Sequence, residues 1–137
     1  MDDVITNKLT TIHKCLQRIT TTYQTAGNQF ATDFDRQDSV ILNLQRACQA
    51  CIDLANYTAR KQQLGVPQSS RDSFQLLFKA QLLSEDVATK MKKMVGLRNI
   101  AVHDYQELNL EIIKHVIENH LQEFSEFANE IKAIYSQ

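Results

Sequence analysis

Apolar residues recur along this chain in steps of three and four, the period of amphipathic helices. The series Ile5, Leu9, Ile12, Leu16, Ile19, Tyr23, Ala26 traces one seam and predicts a first long helix. Asp2 and Asp3 stand at its start, where negative charge suits the helix dipole, and Gly27 can supply a left-handed stop. After a loop, Asp38 and Ser39 can cap a second long helix with the seam Ile41, Leu44, Cys48, Cys51, Ala55, ending near Leu64 with Gly65 and Pro67 beyond. Ser69 and Ser70 can cap a short helix carrying Phe74, Leu77 and Phe78. Ser84, followed by Glu85 and Asp86, opens another with Val87, Met91, Met94 and Val95 inward. Leu110, Ile113, Ile117, His120, Phe124, Phe127, Ile131 and Ile134 predict one last long helix, capped by Asn109.

No stretch alternates apolar and polar residues as a strand would, and three glycines with one proline leave little turn chemistry for a sheet. The expected fold is therefore an all-α antiparallel helical bundle, three long helices plus two shorter ones, in a single domain over residues 1–137. The longest apolar runs are too short for a membrane span and no basic-then-apolar leader opens the chain, so a cytoplasmic protein is expected. Three cysteines, an odd number, suit reduced thiols better than a disulfide framework.

A formal net charge of −1 gives no general attraction to nucleic acid. The stretch from Val87 to His103 is locally different. It holds Lys90, Lys92, Lys93 and Arg98 without an acidic residue, and Glu85, Asp86, Asp104 and Glu107 flank it. Such a run is ordinarily a solvated helix face. Here it adjoins Arg98-Asn99-Ile100-Ala101-Val102-His103-Asp104-Tyr105, a window that places an arginine, an amide, an imidazole and a phenol where a helical core would otherwise continue.

Other polar or reactive positions have plainer readings. Cys48-Gln49-Ala50-Cys51 has the form of a metal motif, but both cysteines fall on the second helix's apolar seam and no histidine lies nearby, so core packing is expected and no metal. His120 lies in the last seam, satisfied by a partner, while His13 and His115 fall on surface positions. Gly96 interrupts a helix at about 1 kcal/mol relative to alanine. Close helix packing explains it most simply; the alternative is room for a phosphate or a second backbone.

At about 100° per residue, Asn99 and His103 share a helix face, whereas Arg98 and His103 lie about 140° apart. Either the helix breaks near His103, or two chains related by a two-fold axis each supply an arginine and a histidine. Arginine carries a permanent charge on a fork of donors that fits phosphate. Histidine exchanges protons near neutral pH. Metal-free cleavage of RNA through the ribose 2′-hydroxyl needs one base and one acid, which two copies of His103 could provide.

The segment Met94-Val95-Gly96-Leu97-Arg98-Asn99-Ile100-Ala101-Val102-His103-Asp104-Tyr105, followed by a long amphipathic helix, resembles the signature of HEPN domains. More narrowly, Arg98-x4-His103-x-Tyr105 is similar to the motif of the HepT toxin family, and the likeness runs over the whole chain. The resemblance implies a metal-independent endoribonuclease without a cofactor, the toxin of a bacterial type VII toxin–antitoxin pair. It would act as a homodimer with Arg98 and His103 in a composite cleft on an RNA substrate. It also implies a partner, the small nucleotidyltransferase antitoxin MntA, which silences the toxin by AMPylation of Tyr105. Asn99 would then orient His103 or bond a helix end, and Lys90, Lys92 and Lys93 are candidate RNA contacts. The competing reading is a non-catalytic nucleotide-binding or adaptor subunit of a minimal nucleotidyltransferase.

Overall fold

A computed structural model describes residues 2–103 and 109–136, with side chains given outside 101–103. Its α-helices are α1 (Asp3–Ala26), α2 (Phe34–Lys61), α3 (Ser70–Lys79), α4 (Glu85–His103), α5 (Leu110–Asn119) and α6 (Leu121–Tyr135). The all-α bundle expected from the periodicity is what forms. Among the described residues no helix is long and apolar enough to cross a membrane.

Helix α1 starts where Asp2 accepts from the Val4 amide at 2.8 Å. It stops at Gly27, whose φ of +54° is a left-handed conformation that glycine adopts without a Cβ penalty. A 3-10 turn over Gly27–Ala31 follows and buries Phe30. Helix α2 then begins at Phe34, earlier than Asp38 and Ser39 would have started it, because Asp33 is the cap and accepts from the Arg36 amide at 3.1 Å. Phe34 is 72% exposed, so the first turn carries no inward apolar residue and the seam is silent there.

The end of α2 also differs from expectation. The left-handed residue is Gln63, at φ +54°, and the Leu64 amide reaches back to the Ala59 carbonyl at 2.9 Å in a Schellman-type stop. Gln81 plays the same part after α3, at φ +62°, with Leu82 donating to Leu77. Ser69 caps α3 as expected. Ser84 caps α4 through Val87, and its own amide and hydroxyl donate to Glu130 at 2.7 and 2.8 Å, tying the start of α4 to α6.

Asn109 caps α5 at 2.9 Å, but the single long terminal helix is in fact two. His120 leaves helical geometry at φ −126°, ψ −3°. Its Nδ1 meets Glu123 at 2.5 Å, its Nε2 meets His115 Nε2 at 3.2 Å, and Gln122 and Asn119 donate to the Asn119 and His115 carbonyls. One bent residue does not disturb a three-and-four seam, so the pattern passes through the break unmarked.

Helix α2 is the axis of the molecule and packs on α1, α3, α4 and α6. One core joins Ile5 and Ile12 to Leu54, Phe74, Met91 and Phe127, with Phe74 edge-on to Phe127 at 5.5 Å. A second, around Ile19, Phe30, Val40, Leu44 and Ile113, lies at the end where α4 runs toward its polar window. Cys15, Cys48 and Cys51 are free and buried, as core packing required.

The two left-handed glutamines yield a stability prediction. An L-residue there costs about 1–2 kcal/mol, against about 0.5–1 kcal/mol of extra unfolded-state entropy for glycine. Gln81→Gly should therefore raise the free energy of unfolding by about 0.5–1 kcal/mol in urea titration; a decrease would contradict the assigned helix stop.

Candidate functional site

The inward stripe of α4 reads Val87, Ala88, Met91, Met94 and Val95, all buried. Its next position is Arg98, so the packing that seats α4 on α2 also carries a guanidinium to the end of the apolar interface. Arg98 is half-buried. Its Nε and Nη2 both donate to Gln49 Oε1, at 3.2 and 2.7 Å, and its Nη1 donates to Asn99 Oδ1 at 3.0 Å. Gln49 in turn donates to Asp53 Oδ1 at 2.9 Å, and Asp53 Oδ2 takes Lys8 Nζ at 2.8 Å. A relay thus runs from α4 across α2 to α1.

The electrostatics follow from who holds whom. Asp53 is answered by Lys8, while Arg98 is held by neutral amide oxygens, and among the described residues no carboxylate pairs with it. Guanidinium offers five N–H donors. Among the described residues three are engaged, leaving about one on each terminal nitrogen for an outside anion. Among the described residues Arg98 is therefore fixed in direction without being neutralised.

The helix register is unbroken from Arg98 to His103. A break between the two, one way of bringing them together, does not occur, and their positions stay about 140° apart around the axis. Asn99 gives its oxygen to Arg98. The side chain of His103 is not among those described, and Tyr105 lies outside the described residues with Asp104.

Gln49 is the participant that the sequence reading missed. It sits between buried Cys48 and Ala50 in a segment read only for its cysteines. The available signal was the polar set Gln49, Asp53, Asn56 and Arg60, spaced along one side of the most buried helix. The cysteines are chemically quiet: burial pushes the Cys48 thiol up to about 12, against the opposing pull of Arg98, and burial also raises Cys51. Neither is a thiolate nucleophile near neutral pH.

The three lysines of the basic run behave differently from one another. Lys90 is held between Asp86 at 2.9 Å and Glu126 at 3.2 Å, and those hydrogen bonds, Asp86 first, raise its pKa. Lys92 donates to Gln75 of α3, and Lys93 is exposed. Gly96 is explained by a side chain: Arg71 of α3 donates from Nε to the Lys92 carbonyl at 3.1 Å, and a Cβ at residue 96 would come within 3.2 Å of its Nη2. Among the described residues, no three of His, Cys, Asp and Glu converge where a metal ion could sit.

The family model for HepT-like ribonucleases matches residues 12–131. The chain is 59% identical to the mRNA nuclease HepT of Shewanella oneidensis, over 97% of this chain and 99% of that one. It is 24% identical to the tRNA nuclease HepT of Aphanizomenon flos-aquae, over 95% of this chain and 88% of that one. Its structure superposes with a TM-score of 0.91 on the tri-AMPylated HEPN toxin of Shewanella oneidensis in complex with MNT antitoxin, at 58% identity over 97% of this chain and 99% of that one. With the family model spanning most of its length and a relative of this identity matched almost end to end, the chain belongs to the HepT-like ribonuclease family and is an endoribonuclease.

Proposed function

We propose that this endoribonuclease is the toxin of a toxin–antitoxin pair, cutting RNA without metal at a site shared by two copies of the chain. The observation that carries the reading is Arg98, held by Gln49 and Asn99 with no carboxylate paired to it among the described residues, in unbroken helical register with His103. In the proposed reaction one His103 takes the proton of a ribose 2′-hydroxyl, and the freed oxygen attacks the adjacent phosphorus. The bond to the 5′-oxygen breaks, and the second copy's His103 gives that oxygen a proton. Arg98 stabilises negative charge building on the non-bridging oxygens. Products are a 2′,3′-cyclic phosphate and a 5′-hydroxyl, with no net proton gained or lost.

A second copy is favoured by the register, because one helix separates the two side chains by about 140°. It is favoured also by Ile100 and Ile112, 36% and 38% exposed, on the helix that carries Arg98 and His103 and on the next helix along the chain. Lys92 and Lys93 are proposed as RNA contacts; Lys90, committed to two carboxylates, contributes less. The proposed setting is the cytoplasm, with a nucleotidyltransferase antitoxin of the MntA type as partner. The AMPylated relative in complex with its antitoxin supports this regulation. An AMP group on Tyr105 would add a phosphodiester charge and a base two residues from His103, repelling and obstructing an RNA backbone.

Antitoxin-free protein should cut RNA in the presence of EDTA, and Arg98→Ala or His103→Ala should each lower the single-turnover rate by roughly 10²–10³-fold. In subunit mixtures with His103→Ala, activity should fall as the square of the wild-type fraction. Cleavage that survives both substitutions would overturn the assignment of Arg98 and His103 as the reacting groups, and a linear fall in the mixtures would remove the shared site. Incubation with the cognate nucleotidyltransferase and ATP should add AMP-sized increments to the intact mass, absent in Tyr105→Phe. Increments that persist in that variant would overturn the assignment of Tyr105.

A further inference from the structure

The cation laid over Gly96 has no role in the reaction just described. Arg71 lies in the first turn of α3, and its Nε donates to the Lys92 backbone carbonyl at 3.1 Å. This bond fixes the guanidinium plane against α4. The glycine opposite provides the space, since a Cβ there would approach Nη2 to 3.2 Å. The adjacent carboxylate, Asp72, instead accepts from the Gln68 amide at 2.9 Å. Among the described residues no acid forms an ion pair with Arg71, and its side chain is exposed. Arg71 thus shares with Arg98 an uncommon combination: it is oriented by a neutral oxygen and keeps its charge for an outside anion.

Its position relative to the motif is set by helix register. Lys92, Gly96, Asn99 and His103 succeed one another in steps of four, three and four along one side of α4. From Gly96 to His103 the helix rises about 10.5 Å, at 1.5 Å per residue. A strand whose reacting phosphate lies near His103 therefore brings a neighbouring phosphate within reach of Arg71. We propose that Arg71, seated on Gly96, forms a second phosphate-binding subsite for the RNA strand, flanking the bond that is cut. The inference rests on the RNA-cleaving reading above. As a contact remote from the reacting phosphorus, Arg71 contributes to binding and not to the chemical step, and Gly96 is kept small for its sake.

The test uses antitoxin-free His103→Ala protein, whose slowed cleavage leaves time for a binding measurement, and a fluorescein-labelled single-stranded RNA oligomer titrated across a series of potassium chloride concentrations. Adding Arg71→Gln, which keeps a donor for the Lys92 carbonyl, should weaken binding about fivefold and reduce the slope of log affinity against log salt by about 0.7, one single-strand phosphate contact. Gly96→Ala should weaken binding in the same direction while raising the unfolding midpoint, because alanine is the better helix former and the guanidinium must move aside. An affinity and salt slope unchanged in Arg71→Gln would overturn the subsite, as would a loss of affinity with the slope intact, which marks a merely structural tie. Absence of salt-dependent RNA binding by the His103→Ala parent would instead defeat the RNA-cleaving reading itself.

Discussion

The structure depends on how a permanent cation is accommodated at the end of a buried helical stripe. Helix α4 is pinned to α2 by Met91, Met94 and Val95, and the next inward position is Arg98. Removing a guanidinium from water is costly, and the usual remedy is a carboxylate. Here the remedy is Gln49, backed by Asp53 and Lys8. The neutral amide supplies direction and partial solvation while the nearby negative charge is cancelled by a lysine on α1. Three helices thereby cooperate to present a positive charge that nothing in the described structure consumes.

That arrangement suits the proposed reaction, in which negative charge grows on phosphate oxygens. A guanidinium already paired with an acid would have to surrender that pair to help, whereas one held by amides is preorganised. The register of α4 adds the second constraint. Because the helix is continuous through His103, positions 98 and 103 lie on different sides of it, and the proposed reaction therefore calls on a symmetric pair of chains to bring both groups to one phosphate. Arg71 repeats the same device from α3, using a backbone carbonyl in place of an amide side chain.

Most of the fold was legible in the pattern of residues, and the exceptions share a cause. The seams marked α1, α3, α4 and the membership of Cys48 and Cys51 in the core, because burial of apolar side chains is what periodicity records. Features governed by a single backbone dihedral or cap escaped it: Asp33 starting α2 ahead of its first buried residue, Gln63 in place of glycine at its end, and His120 dividing the last seam. The motif window was conspicuous because polar residues interrupt a seam. Gln49 was not, since its partner is far away in sequence and its neighbours are core. Long-range polar pairing leaves no local period, so the holder of Arg98 became visible only once α2 and α4 were side by side.

The central claim, that Arg98 works because it is held without being neutralised, is tested most directly by Gln49→Glu. This change keeps the side chain's size and an oxygen facing the guanidinium but supplies the missing counter-charge. Single-turnover RNA cleavage by the antitoxin-free variant, with its helical circular dichroism intact, should fall by about tenfold or more, the equivalent of roughly 1.4 kcal/mol in the barrier. A folded variant that cuts at the wild-type rate would contradict the account.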